Sequence, residues 1–126
     1  MSAVTTGIKP VKIGQGRNKS TVYTGTKVTP TTDSSGNKTY KVEIIQYDNA
    51  NGDGGRVIGQ RDETNGSKIN WNDNANKDIT GSPDAQKSIK SASKTQANSL
   101  EPQLVGNSAD SQAFNKAQGI SFGTES

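Results

Sequence analysis

Apolar residues alternate with polar ones over the first half of this chain and thin out to scattered single positions over the second. Residues 8–13 (IKPVKI) alternate, but Pro10 removes an amide donor and confines the segment to a sheet edge or a strap. Gly14-Gln15-Gly16 interrupts it. Residues 21–29 (TVYTGTKVT) are rich in β-branched side chains and predict a strand. Residues 30–37 (PTTDSSGN) form a dense turn cluster. Residues 38–47 then place Tyr40, Val42 and Ile44 at period two, with Ile45 and Tyr47 on the other face, so the two strands predict a hairpin. A loop without apolar content follows at 48–55. Residues 56–63 and 68–71 flank Thr64-Asn65-Gly66-Ser67. Asn-Gly is the strongest short hairpin signal because both positions tolerate positive φ, and a second hairpin is expected with Val57, Ile58, Ile69 and Trp71 as its anchors.

Beyond a polar loop at 72–81 the period changes. Ser82-Pro83-Asp84 combines a hydroxyl cap, a proline at the first helical position and an acid in the first turn, which marks a helix start. The helix is expected to reach about Leu100 and to stop before Pro102. Its inward line of Ala85, Ile89, Ala92 or Ser93, Gln96 and Leu100 is too thin to hold it against a core unaided. From Gln103 the chain is polar, with Leu104, Val105, Phe114, Ile120 and Phe122 as isolated apolar positions and room for a short helical turn near 109–117. The expected fold is mainly β with one helix: a small hairpin-based body with extended polar N- and C-terminal arms. The boundaries are a basic arm at 1–19, a hairpin body at 20–71, a loop at 72–81, a helix at 82–101 and an extended arm at 102–126.

Composition sharpens this picture. Apolar residues make up 27% of the 126 positions, against about 45–50% in an average globular domain. Ile, Val, Leu and Phe together number 20, too few for the deep apolar pocket of an ordinary enzyme. The expectation is a chain unfolded in isolation outside 20–71 and ordered by its neighbours. The net charge is +3, but residues 1–41 hold seven Lys or Arg and a single acid, Asp33, so the basic character belongs to the first third. Without histidine the chain lacks the commonest general base and metal ligand; without cysteine it has no disulfide. No apolar run approaches the ~20 residues of a membrane span, and Met1 to Thr6 carry no secretory signal.

The motifs that invite a chemical reading are incomplete. Gly14-Gln15-Gly16-Arg17-Asn18-Lys19-Ser20 lacks the glycines of a phosphate loop, which would stand at Ile13 and Asn18. Asp48, Asn49, Asn51 and Asp53 offer oxygen ligands, and Gly54 falls where a calcium loop turns, but Gln60 stands in place of the bidentate glutamate. These four are the candidate metal residues, and no metal or other cofactor is expected. Asp62 and Glu63 are adjacent strand residues and point to opposite faces. No serine or threonine has a histidine to activate it. An enzyme is not expected. The candidate residues are instead for partner binding: Lys9, Lys12, Arg17 and Lys19 toward acidic side chains, and Trp71, Phe114, Ile120 and Phe122 as apolar anchors. Strand addition to a neighbour's sheet edge would add backbone hydrogen bonds.

The Thr/Gly/Asn-rich strands GRNKSTVYTGTKVTP and GNKTYKVEIIQYD, the DNANGDGG loop and the polar C-terminal arm resemble small structural proteins of tailed bacteriophage particles. The likeness is to virion components of large contractile-tailed phages, cyanobacterial ones in particular. It implies an accessory structural protein of tail, baseplate, neck or capsid surface, present in many symmetric copies and touching other virion proteins. Two other classes stay open: a nucleic-acid-associated protein acting through the basic first third, and a calcium-dependent adhesive module using residues 48–53. No membrane partner is expected.

Overall fold

The computed structural model describes residues 2–14, 17, 19–61 and 68–123. The fold is mainly β, an antiparallel six-stranded sheet with helices packed on one face. Its centre is the expected hairpin. β3 (Ser20–Thr32) pairs with β4 (Lys38–Tyr47) from Tyr23 opposite Tyr47 to Thr32 opposite Lys38. The turn is fixed by Asp33, whose carboxylate accepts from the amides of Ser35 and Asn37, and by Gly36 at φ +85°. Burial alternates along β4 as its pattern predicts: Tyr40, Val42 and Ile44 are closed off while Lys41, Glu43, Ile45 and Tyr47 stay half-buried.

The basic N-terminal segment is extended, and both of its strands pair with β3. β1 (Val4–Thr5) sets Val4 opposite Val28, and β2 (Lys9–Ile13) sets Lys9 opposite Thr24. Between them Gly7 and Ile8 face one residue, Gly25, so the rim is bulged. Thr6 repairs the ladder there: its amide donates to the Thr26 carbonyl and its hydroxyl accepts from the Thr26 amide, both at 2.9 Å. Bulge, Pro10, Lys9 and Lys12 together are the devices that keep a sheet edge from pairing further. The other rim is closed by brevity. β5 (Arg56–Arg61) pairs with β4, with a bulge at Ile58, and with β6 (Asn70–Trp71), which is two residues long. Strand addition, expected as one source of affinity, is therefore disfavoured at both rims. The β5–β6 pairing agrees with the second hairpin, while its Asn65-Gly66 turn lies outside the described residues.

The helical layer departs from expectation. The loop at 72–81 contains a short helix, α1 (Lys77–Thr80). α2 (Pro83–Asn98) starts where its sequence indicates, the Ser82 hydroxyl accepting from the Ala85 amide. It buries Ala85, Ile89, Ser93, Gln96 and Ala97, and after it Pro102 falls in the first turn of α3 (Glu101–Leu104). The C-terminal segment is not an extended arm. It forms α4 (Ser108–Phe122), capped by Asn107, and packs on β4 and α2. Phe114, Ala117, Gln118, Ser121 and Phe122 recur at helical spacing, so small and amide side chains complete the stripe that two phenylalanines begin. Among the described residues four helices thus stand where one was expected. The core is shared between the layers: Val28, Val42, Ile44, Ile58, Ile89 and Phe114 are all closed to solvent.

Candidate interaction surfaces

The face of the sheet opposite the helices carries Tyr23, Lys27, Lys41, Glu43, Ile45, Tyr47 and Val57, all half-buried. Tyr23 lies opposite Tyr47, Gly25 opposite Ile45, and Ile45 opposite Val57, so two tyrosines and two aliphatic side chains form one band across β3, β4 and β5. The Tyr47 ring is laid over backbone: a Cβ added at Gly25 would meet it at 3.4 Å and one at Gly55 at 2.9 Å. The glycines let an aromatic ring lie flat on the sheet and hold it there. Lys27 and Glu43 stand directly opposite one another beside the band.

The residues expected to bind partners are distributed differently. Lys9 and Lys12 are exposed on β2, but Lys9 pairs with Thr24 and Lys12 with Thr21, so they belong to opposite faces. Lys12 donates to the Thr21 hydroxyl. Arg17 and Lys19 are exposed in the connection to β3. The four do not form one patch. Phe114 and Phe122, expected as anchors in a neighbour's pockets, are instead buried in this chain's own core. Phe114 meets Tyr40 edge-on with ring centroids 5.4 Å apart, and the Tyr40 hydroxyl donates to the Leu104 carbonyl at 2.9 Å. Burial, then the Asp110 carboxylate, push the Tyr40 phenol above its ordinary range. Ile120 is half-buried and lines a depression of about 320 Å³ beside the Lys38–Asp110 ion pair. Trp71 is half-buried against the core, opposite Gly59.

The 48–53 loop is tied up within itself. Asp48 accepts from Arg56 at 2.8 Å, Asp53 accepts from the Asn49 amide at 2.8 Å, and Asn49 accepts from the Asn51 backbone. Gly54, at φ +66°, is seated against the Asp48 carboxylate, where a Cβ would collide with it. The oxygens proposed for a cation thus serve as acceptors inside the turn. Among the described residues no three His, Cys, Asp or Glu side chains cluster as metal ligands, and no helix is long and apolar enough to cross a membrane. The adjacent pair Asp62 and Glu63 lies outside the described residues.

Two features were not anticipated. Arg61 is fully buried on β5 and donates from Nε to the Ser121 hydroxyl at 2.9 Å and from a guanidinium nitrogen to the Tyr40 carbonyl, so one side chain ties β5, β4 and α4 together. Lys87, Lys90 and Lys94 line a groove of about 700 Å³ along α2 that reaches Phe122 at the end of α4. Their i, i+3, i+7 spacing was readable as one helix face. Comparison with protein-family models, curated proteins and solved structures found no match.

Proposed function

We propose that this chain is an accessory structural subunit of a tailed-phage particle, joined to neighbouring virion proteins through the open face of its sheet. The observation that carries the reading is the band of Tyr23, Tyr47, Ile45 and Val57 on the uncovered face. Half-exposed aromatic and aliphatic groups on a rigid sheet, edged by Lys27, Lys41 and Glu43, have the make-up of a docking face: an apolar centre to desolvate and charges at the rim to set orientation. The guarded rims turn association away from strand addition and toward this face. The resemblance of the strands and loops to phage structural proteins supplies the kind of neighbour, other virion proteins in a symmetric multi-copy assembly, and the location, the virion.

The test is quantitative mass spectrometry of purified particles from a phage carrying this chain. The expected result is a fixed copy number above one per particle, falling at least tenfold with Ile45→Lys and Val57→Lys combined. Both side chains are half-exposed, so circular dichroism of the variant should match the parent. A chain absent from washed particles, or a variant incorporated at the parental copy number, overturns the reading.

A further inference from the structure

The open face of the sheet is complementary to itself. β3 and β4 run antiparallel down its middle, with Tyr23 opposite Tyr47, Gly25 opposite Ile45, Lys27 opposite Glu43 and Thr29 opposite Lys41. A two-fold axis laid along the strands, midway between β3 and β4 and just above the face, carries β3 of a second copy over β4 of the first. Each position then meets, in the other copy, the position that stands opposite it in its own sheet. Tyr23 comes over Tyr47, and Ile45 over Gly25, where the Tyr47 ring lies. Lys27 comes over Glu43, twice by symmetry, and Lys41 over Thr29. One strand further out Gln60 comes over Thr5, because Gln60 stands opposite Glu43 and Thr5 opposite Lys27. Aromatic meets aromatic and polar meets polar, and the three charges on this face of β3 and β4, Lys27, Lys41 and Glu43, are set so that no two of like sign coincide.

We propose that this face binds a second copy of the chain, as an isologous dimer about that axis. The inference rests on the reading of the band as a docking face and names its occupant. Charge is the first argument: a Lys27–Glu43 pair that repeats itself across the axis fits a copy of the same chain, whereas a foreign partner must bring its own matching array. Geometry is the second: an axis parallel to the strands crosses the two sheets at a small angle, the aligned packing that sheets adopt at a spacing of about 10 Å. Area is the third: β3, β4 and the strand on either side, between the rows of Tyr23 and Thr29, cover roughly 450 Å² per copy. That lies at the low end for a specific interface, so the dimer is reversible, with a dissociation constant above about 1 µM.

Sedimentation velocity of the full chain from about 1 µM to 1 mM tests the proposal. The expected result is a concentration-dependent shift from the mass of one chain to that of two. Lys27→Glu sets like charges over one another on both sides of the axis and should weaken the dimer at least about tenfold, and Glu43→Lys should do the same. Mixed in equal amounts, the two variants should dimerise with each other to within about threefold of the parental affinity, because every pair across the axis is then of opposite sign. Rescue between two different chains separates contact between copies from damage to the fold. The proposal is overturned by a chain that stays monomeric at the highest concentration, by a dimer that neither reversal weakens, or by a mixture no more associated than each variant alone. The particle experiment is independent. A monomeric free chain whose Ile45→Lys, Val57→Lys variant is still lost from particles keeps the docking face and removes this occupant. A dimer formed by a chain absent from washed particles keeps the occupant and removes the phage reading.

Discussion

The side-chain amide of Gln96 donates to the carbonyl of Gly7 at 3.2 Å, joining α2 to the bulge in the rim of the sheet. The bulge is what makes that carbonyl available, because the extra residue interrupts the ladder. The same nitrogen donates to the Thr24 carbonyl at 3.0 Å, and Gln96 Oε1 accepts from the Thr26 hydroxyl at 2.8 Å. One buried amide therefore fixes the register of α2 over β3 and the rim strands.

Replacing Gln96 with Leu leaves the Thr24 carbonyl and the Thr26 hydroxyl without that partner in a closed layer, and the Gly7 carbonyl without it at the exposed rim. At roughly 1–3 kcal/mol for each orphaned buried group, partly offset by the apolar replacement, the expected loss is about 2–4 kcal/mol. Urea denaturation measures it. Thr26→Val should be coupled to it: in a double-mutant cycle the second substitution should cost less once the first is made. Simple additivity would mean that the hydrogen bond contributes nothing to the layer contact.

The hairpin and the start of α2 were legible because their signals are local. The period-two run of Tyr40, Val42 and Ile44 and the Ser82-Pro83-Asp84 start need no knowledge of the rest of the chain. Gln96 and α4 were not legible because their signals are relational. A glutamine on the inward line of a helix reads as a weakness until a bulged strand and a threonine row stand across from it. Phe114 and Phe122 read as isolated anchors because the positions between them that complete the stripe, Ala117, Gln118 and Ser121, are not hydrophobic in the usual sense. Asn107, with Asp110 three residues on, was the available sign of a helix start. The α2 groove depended on reading charge by helix face rather than by thirds of the sequence.

Tyr40 makes stability sensitive to alkaline pH. Its phenol is held neutral in the folded chain by burial and by the Asp110 carboxylate, so its folded pKa lies above the unfolded value of about 10. A group raised in this way contributes stability that is fully present below the unfolded value and lost as pH rises through the folded one. The midpoint of thermal unfolding should fall as pH rises above about 10, by an amount that Tyr40→Phe removes. Below pH 9 that substitution should cost about 1 kcal/mol, through the loss of the bond to Leu104. An identical decline in both proteins would show that other groups govern the alkaline limb.

Gly59 makes room for Trp71. The two stand opposite each other on β5 and β6, and a Cβ at Gly59 would fall 2.9 Å from Ile69 Cγ2 and 3.2 Å from the indole. Gly59→Ala should therefore push both away and destabilise by about 1–3 kcal/mol, the range for overpacking. Trp71 is the only tryptophan, so its emission reports the displacement directly as a red shift. Gly7→Ala is the contrast, since nothing lies within 4 Å of a Cβ there. Equal stability for the two variants would mean that the indole relaxes without cost.

The C-terminal segment is expected to behave as core rather than as a detachable arm. Phe114 is 1% exposed, packs edge-on against Tyr40, and sits on the helix whose Ser121 accepts from the buried Arg61. Removing residues 103–126 would uncover Tyr40, Val42 and Ile44 and strip Arg61 of that acceptor. Such a sheet has no second layer over β4 and should lose cooperative unfolding altogether. Phe114→Ala leaves the backbone in place but opens a cavity, at an expected cost of about 3–5 kcal/mol. Denaturant curves of the truncated chain and of Phe114→Ala check both. A truncated chain that still unfolds in one sharp transition, with amide protection retained in 38–47, would return this segment to the role of an appendage.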